Sequence, residues 1–392
     1  MSLASRYREV RDYTEHLSSY LSAEDQTVQS MPDCSPTKWH RAHTTWFFET
    51  VVLTQLVPTY QPFNPLFIEL FNSYYEAVGP QFPRAARGVI SRPGIQEIAD
   101  YRAHVDQAME ELLSDSSFAD YAIVELGLQH EQQHQELLLM DIKHAMSLNP
   151  LRPVTFPMNF EPGSIHSSHP NQSQPWLPFF AGLVDIGATE AGFAFDNEQP
   201  RHATYLQDFE IASTLVTNEE WLAFMDAGGY QRSEFWLSEG WNFVQQHGIN
   251  APLYWLERDG NWLQFTLAGV APLDLKAPVT HISYYEADAY ARYAGARLPT
   301  EAEWEHTAAS MPQDFQQAYD SGWQWTGSAY LPYPGFTPRN GTVREYNGKF
   351  MASQMVLRGG SALTPEGHAR ATYRNFFYPH ARWMQSSVRL AR

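Results

Sequence analysis

A helical bundle followed by an irregular α+β domain is the fold the sequence predicts, and three observations predict it. Apolar residues keep helical spacing up to about Met146. The stretch after it, "NPLRPVTFPMNFEPGSIHSSHPNQSQP", is dense in Pro, Ser and Asn and follows neither the helical nor the strand period, which marks a linker. Beyond it the apolar runs are short, rich in aromatics and broken by Gly, Pro and Asn. The expected division is therefore a bundle over 1–150, a linker over 151–176 and an α+β domain over 177–392. With 392 residues, 43% hydrophobic and 14% aromatic, the chain has enough apolar side chains for two cores.

In the first domain Leu3, Tyr7, Val10, Leu17 and Leu21 trace one face of a first helix. Ser35-Pro36 reads as the start of a second, with Ser as N-cap, running to Val57 before Pro58 stops it. Asn64-Pro65 opens a third through "LFIELFNSYYEAVG". Ile98, Tyr101, Val105, Met109 and Leu112 mark the next, and a long one spans about Asp120 to Met146. Short loops between such helices predict an up-and-down bundle. In the second domain Ser283 with Glu286, and Thr300 with Glu303, have capping-box spacing and predict two helix starts.

Charge narrows the function. Lys and Arg number 26 against 44 Asp and Glu, a formal charge of −18, which repels nucleic acid and anionic membrane surfaces. The single cysteine, Cys34, forbids intrachain disulfides; it reads as a small buried group, with a nucleophile as the alternative. No stretch has signal-peptide or membrane-span character, so a cytoplasmic location is expected.

The most informative stretch is "LQHEQQHQELLL". Residues four apart on a helix project together, so His130 and His134 share a side with Ile123, Leu126 and Leu137 and point inward. Such a pair binds metal or forms hydrogen-bonded core histidines. A third ligand must come from another helix. In "SPTKWHRAHTTWFFET", His43 lies on the apolar stripe of Trp39, Trp46 and Thr50, whereas His40 lies off it, so His43 is the expected third ligand. Three neutral imidazoles leave positions open on a metal for substrates or O2. The same pentapeptide occurs in zinc proteases, where Glu131 would be general base; the further His and Gly that metzincins place after it are absent from "HEQQHQELLLMDIKH".

These residues carry a resemblance. "SPTKWHRAHTTWFFET" and "ELGLQHEQQHQELLLMDIKHA" resemble the DinB-like four-helix bundle of ergothioneine-biosynthesis sulfoxide synthases. "LVTNEEWLAFMDAGGY", "PVTHISYYEADAYARYAGARLPTEAEWEHTAA", "EYNGKFM", "VLRGGSALTP" and "RATYRNFFYP" look like the same family's second domain, a C-type-lectin-like fold related to the formylglycine-generating enzyme. The resemblance implies an enzyme holding non-haem Fe(II) on His43, His130 and His134 and using O2 to join a thiol to the imidazole carbon of hercynine, giving a sulfoxide. By motif it places Gln133 beside the imidazole substrate, Arg84 and Arg87 on the thiol substrate's carboxylate, and Asn375 near the hercynine carboxylate.

Tyr74 and Tyr75 match paired tyrosines of the cysteine-using branch, one supplying a proton; helix-packing aromatics are the alternative. The branch that uses γ-glutamylcysteine has an acidic residue where this chain has Phe377, which favours cysteine as donor. Trp39, Trp46, Phe376 and Phe377 are expected to exclude water and to face the quaternary ammonium of hercynine. No cysteine follows Cys34, so the second domain cannot run the formylglycine-generating reaction and is expected to wall the site. Three other readings stay open: a selenoneine synthase taking a selenosugar donor, a zinc hydrolase using Glu131, and a non-catalytic module that binds a small amine.

Overall fold

A computed structural model describes residues 2–157, 175–338 and 347–392. The chain divides into two compact units, one drawn from residues 2–157, the other from 175–337 and 347–392. Most of the expected linker, and the first residues of "EYNGKFM", lie outside the described residues.

The first unit is a four-helix bundle. Its long helices are α1 (Leu3–Ser19), α2 (Thr37–Phe47), α5 (Ile95–Ser114) and α6 (Tyr121–Ser147), with short turns α3 (Thr54–Leu56) and α4 (Phe67–Leu70) between α2 and α5. Each long helix buries the stripe its spacing predicts: Tyr7, Val10 and Leu17 on α1, and Ile98, Tyr101, Val105 and Met109 on α5. Pairings along the helices give their directions. Tyr7 meets Phe48 while Glu15 meets Arg41, so α1 and α2 are antiparallel; Arg8 meets Glu110 while Glu15 meets Arg102, so α1 and α5 are antiparallel too. Hence α2 and α5 run the same way, and the segment 57–94 is a long crossover where short up-and-down loops were expected.

Three local expectations fail for identifiable reasons. The helix from Asn64 stops at Leu70, because the Asn72 side chain accepts the Tyr75 N–H and donates to the carbonyls of Tyr75 and Gly79, capturing the chain as a turn. Ser35 is no cap: α2 begins with Pro36 at the N-cap position, and the Ser35 hydroxyl accepts from Arg87 instead. Past Phe47 the second helix widens into a π-helical turn, Phe48–Leu53. Gly127 on α6 faces this widening; a Cβ there would lie 2.5 Å from a Phe48 ring carbon. The missing side chain lets α2 and α6 approach closely.

The second unit is α+β. Its strands are β1 (Trp176–Phe179), β2 (Gly182–Ile186), β3 (His202–Leu206), β4 (Phe209–Ala212), β5 (Trp255–Arg258), β6 (Asn261–Thr266), β7 (Gly269–Pro272), β8 (Trp323–Ala329), β9 (Met355–Arg358), β10 (Asn375–Phe377) and β11 (Ser386–Ser387). They pair as β1-β4, β2-β3, β5-β6-β7 and β10-β9-β8-β11, the last with β8 and β11 parallel. Helices α7 (Asn218–Asp226), α8 (Ser238–His247), α9 (Tyr284–Tyr293) and α10 (Glu301–Ser310) complete it. Both expected capping boxes form, Ser283 with Glu286 opening α9 and Thr300 with Glu303 opening α10. Trp304, Phe209, Ile211 and Phe315 pack into its core. Glu301 is clamped by Arg358 and Arg374, which ties α10 to β9 and to the residue before β10.

Candidate metal centre

α2 and α6 lie antiparallel, with Phe47 against His130, His40 against His134 and Ser35 against Asp141. This pairing brings His43, His130 and His134 together, each offering a nitrogen within 4.8 Å of the others. His43 is wedged between parallel indoles, 4.5 Å from Trp39 and 5.5 Å from Trp46. Its Nδ1 donates to the Phe71 carbonyl at 2.6 Å, so Nε2 carries the lone pair, and that buried atom has no hydrogen-bond partner. An orphaned ring nitrogen beside two other imidazoles is what a metal ligand presents before its ion arrives.

Protonation agrees with the donor set. Burial, then the neighbouring His130, pushes His43 well below the ordinary imidazole range; burial and the same neighbour do so for His134, and burial brings His130 down to about 3. All three rings are therefore neutral at pH 7, the form that coordinates metal. Three imidazoles without a thiolate suit Fe(II), Zn(II) or similar ions and leave coordination positions open.

Glu131 lies within the pentapeptide and is 0% exposed, yet it faces away from the histidines. Its carboxylate accepts from Arg11 Nη1 at 2.9 Å, Arg102 Nη2 at 3.0 Å and Thr14 Oγ1 at 2.7 Å. Burial works to raise its pKa, but Arg11 and Arg102 outweigh it and hold the group below the usual carboxylate range. A base tied up by three donors cannot take a proton from a metal-bound water.

The substrate-side candidates divide between inside and outside. Arg87 is 2% exposed; it donates to Ser35 Oγ at 2.9 Å and Ser73 Oγ at 3.2 Å, and its guanidinium lies 3.4 Å over the Trp39 ring. Its Nε is unpaired, and among the described residues no carboxylate forms an ion pair with it. Arg84, by contrast, is exposed and donates to the Asp33 carbonyl. Tyr75 is buried with its ring 5.4 Å from Trp46, and Tyr74 stacks on it at 4.7 Å from the half-exposed side. Gln133 is half-buried on α6 between the two histidines. Cys34 is buried, and burial first, then Asp141, pushes its thiol far up, so it is no nucleophile.

In the second unit Asn375, Phe376 and Phe377 form β10, where successive side chains alternate. Asn375 and Phe377 thus share one face and Phe376 takes the other, stacked 4.1 Å on Tyr330; Phe377 meets Trp383 edge-on at 5.5 Å. Spacing arguments place His40 off the ligand face and do not reach Asp141. His40, off the apolar stripe, nevertheless reaches His134 Nδ1 at 2.8 Å and Asp141 at 3.0 Å. Its place three residues before His43 was the available signal.

The bundle with its three-histidine centre belongs to a chain whose relatives mark it as an oxygen-dependent oxidoreductase. Residues 180–322 match the sulfatase-modifying factor enzyme 1-like domain. The chain is 30% identical to the hercynine oxygenase of Mycolicibacterium thermoresistibile over 99% of its own length and 94% of that protein's. It is 32% identical to that of Mycolicibacterium smegmatis, over 75% of this chain and 76% of the relative. The formylglycine-generating enzyme of Streptomyces coelicolor is 34% identical over 38% of this chain and 50% of its own. The chain belongs to the hercynine oxygenase family. Among the described residues no helix is long and apolar enough to cross a membrane.

Proposed function

We propose that this protein is a non-haem Fe(II) sulfoxide synthase of ergothioneine biosynthesis that couples cysteine to hercynine with O2. The reaction removes the thiol S–H and one imidazole C–H, forms a C–S and an S–O bond, and reduces O2 by four electrons to the sulfoxide oxygen and one water. The observation that carries the reading is the convergence of three neutral imidazoles while Glu131 is locked to two arginines. That combination supports an open metal site for O2 chemistry over a zinc hydrolase.

His43, His130 and His134 would hold the metal, which when bound supplies a binding position for thiolate and O2 and the redox capacity for the coupling. Arg87 is assigned to the cysteine carboxylate: a buried guanidinium with a free Nε–H and no acidic partner among the described residues gains a charge-assisted pair when one arrives. Arg84 would steer the same group from outside. Gln133 is assigned to an imidazole nitrogen of hercynine; Asn375, Phe376 and Phe377, which the resemblance puts on the substrate side, lie on β10 of the second unit. Tyr75, with Tyr74 as its outer neighbour, is assigned to hold and deliver a proton. Trp39 and Trp46 keep the His43 ring in plane and water away from it.

The test is an anaerobic reconstitution with Fe(II) or Zn(II), then hercynine, O2 and one thiol at a time. Iron-dependent O2 uptake with sulfoxide formation, abolished in His43→Ala, His130→Ala and His134→Ala, is the expected result, with cysteine preferred over γ-glutamylcysteine by ~100-fold in kcat/KM. Zinc-dependent hydrolysis, or turnover only with a selenosugar, would replace this reading.

A further inference from the structure

We propose that Asp141 and His40 form a positioning relay that fixes which nitrogen His134 presents to the metal. The inference rests on the metal centre proposed above and concerns residues that do not belong to its ligand set. His40 Nε2 lies 3.0 Å from Asp141 Oδ2, an oxygen that also accepts the Ser35 N–H at 2.7 Å. A carboxylate only accepts, so His40 donates through Nε2, which leaves Nδ1 of that ring as the acceptor. His134 Nδ1 is 2.8 Å from that acceptor. The proton between the two rings therefore sits on His134 Nδ1, and the lone pair of His134 falls on Nε2.

His43 reaches the same end by another route, its Nδ1 proton taken by the Phe71 carbonyl. Two ligands from two helices are thus set to coordinate through Nε2 before any metal binds. Both relay residues are buried, His40 at 3% and Asp141 at 5% exposure, which leaves little water to substitute for either. With His40 removed, the His134 ring is free to rotate and to populate the tautomer whose Nε2 is protonated and unable to ligate. Outer partners of metal-bound histidines typically change affinity 10- to 100-fold.

Substitution by shape separates positioning from packing. In His40→Asn the side-chain oxygen falls near the position of Nδ1 and still accepts from His134; in His40→Leu nothing accepts. Asn and His have similar helix propensities, so the backbone of α2 is not the variable. The measurement is an anaerobic Fe(II) titration of the full chain against a competing chelator, repeated with Co(II), whose visible bands report coordination geometry. Thermal unfolding of each metal-free variant runs beside it. The expected result is ~10- to 100-fold weaker binding and altered Co(II) bands in His40→Leu, with His40→Asn near the parent. Parent-like affinity in His40→Leu would overturn the relay. So would a His40→Asn variant as weak as His40→Leu, since His40 would then be a ligand itself, or affinities that follow metal-free unfolding temperature. His43→Ala is the control: if it binds metal like the parent, the metal centre itself is refuted, which is a different failure from that of the relay.

Discussion

Replacing Glu131 by Gln separates stability from chemistry in one variant. The wild-type carboxylate is 0% exposed and bridges Arg11 and Arg102, both themselves buried. Gln keeps the shape and one acceptor oxygen but removes the buried charge that Arg11 and Arg102 share, leaving them only their outer partners Asp106 and Glu15. Breaking a buried pair from one side costs about 3–5 kcal/mol, and the residual acceptor together with Asp106 and Glu15 puts the expected loss near the lower figure. For a cooperative unit of this size each kcal/mol moves Tm by about 2–4 °C, so ~3 kcal/mol predicts a fall of about 6–12 °C. Scanning calorimetry of the metal-loaded protein reads that directly. The sulfoxide-forming kcat per bound iron, measured well below the lowered Tm, should stay within a few-fold, because no Glu131 oxygen faces the histidines. A variant of unchanged Tm that loses turnover by several orders of magnitude would refute the argument and return Glu131 to the role of general base.

Two further outcomes follow from the geometry. Arg87→Ala should raise KM for cysteine at least ~10-fold, while Arg84→Ala, whose side chain is exposed on the Asp33 carbonyl, should change it by less than ~3-fold; steady-state kinetics against thiol concentration distinguishes them. The metal-free protein should lose stability in acid. His43, His130 and His134 have folded pKa values depressed below the unfolded 6.5, so their contribution is whole above pH 6.5 and is lost as the pH falls below it, for His130 down to about 3. The three together set a slope of about 4 kcal/mol per pH unit in that window, which urea unfolding at stepped pH would detect; a flat profile between pH 6.5 and 5 would contradict it.

The parts of the fold that repeat a period were legible in the sequence. The long helix expected from about Asp120 to Met146 is Tyr121–Ser147, and both capping boxes formed, because a period of 3.6 and a reciprocal pair three residues apart are local facts. The inward pair His130 and His134, and the preference for His43, came from the same arithmetic. Competition between partners was not legible. Nothing in "FNSYYEAV" says that Asn72 will bind its neighbours' backbone and end a helix, nor that Ser35 will serve Arg87 in place of a cap. His40 was set aside because an apolar stripe identifies the face that packs, whereas a polar relay can occupy its edge. Whether Glu131 meets solvent, water or two arginines depended on Arg11 and Arg102, residues more than 25 positions away in the chain.

The contact between Gly127 and Phe48 makes the spacing of the two ligand-bearing helices a property of a pair of positions that touch no ligand. Enlarging one requires shrinking the other, since a Cβ at 127 would fall 2.5 Å from the Phe48 ring. Anyone seeking to re-tune the centre for an ion of different radius would therefore treat residues 48 and 127 as a single adjustable spacer, exchanged together, and leave the histidines untouched.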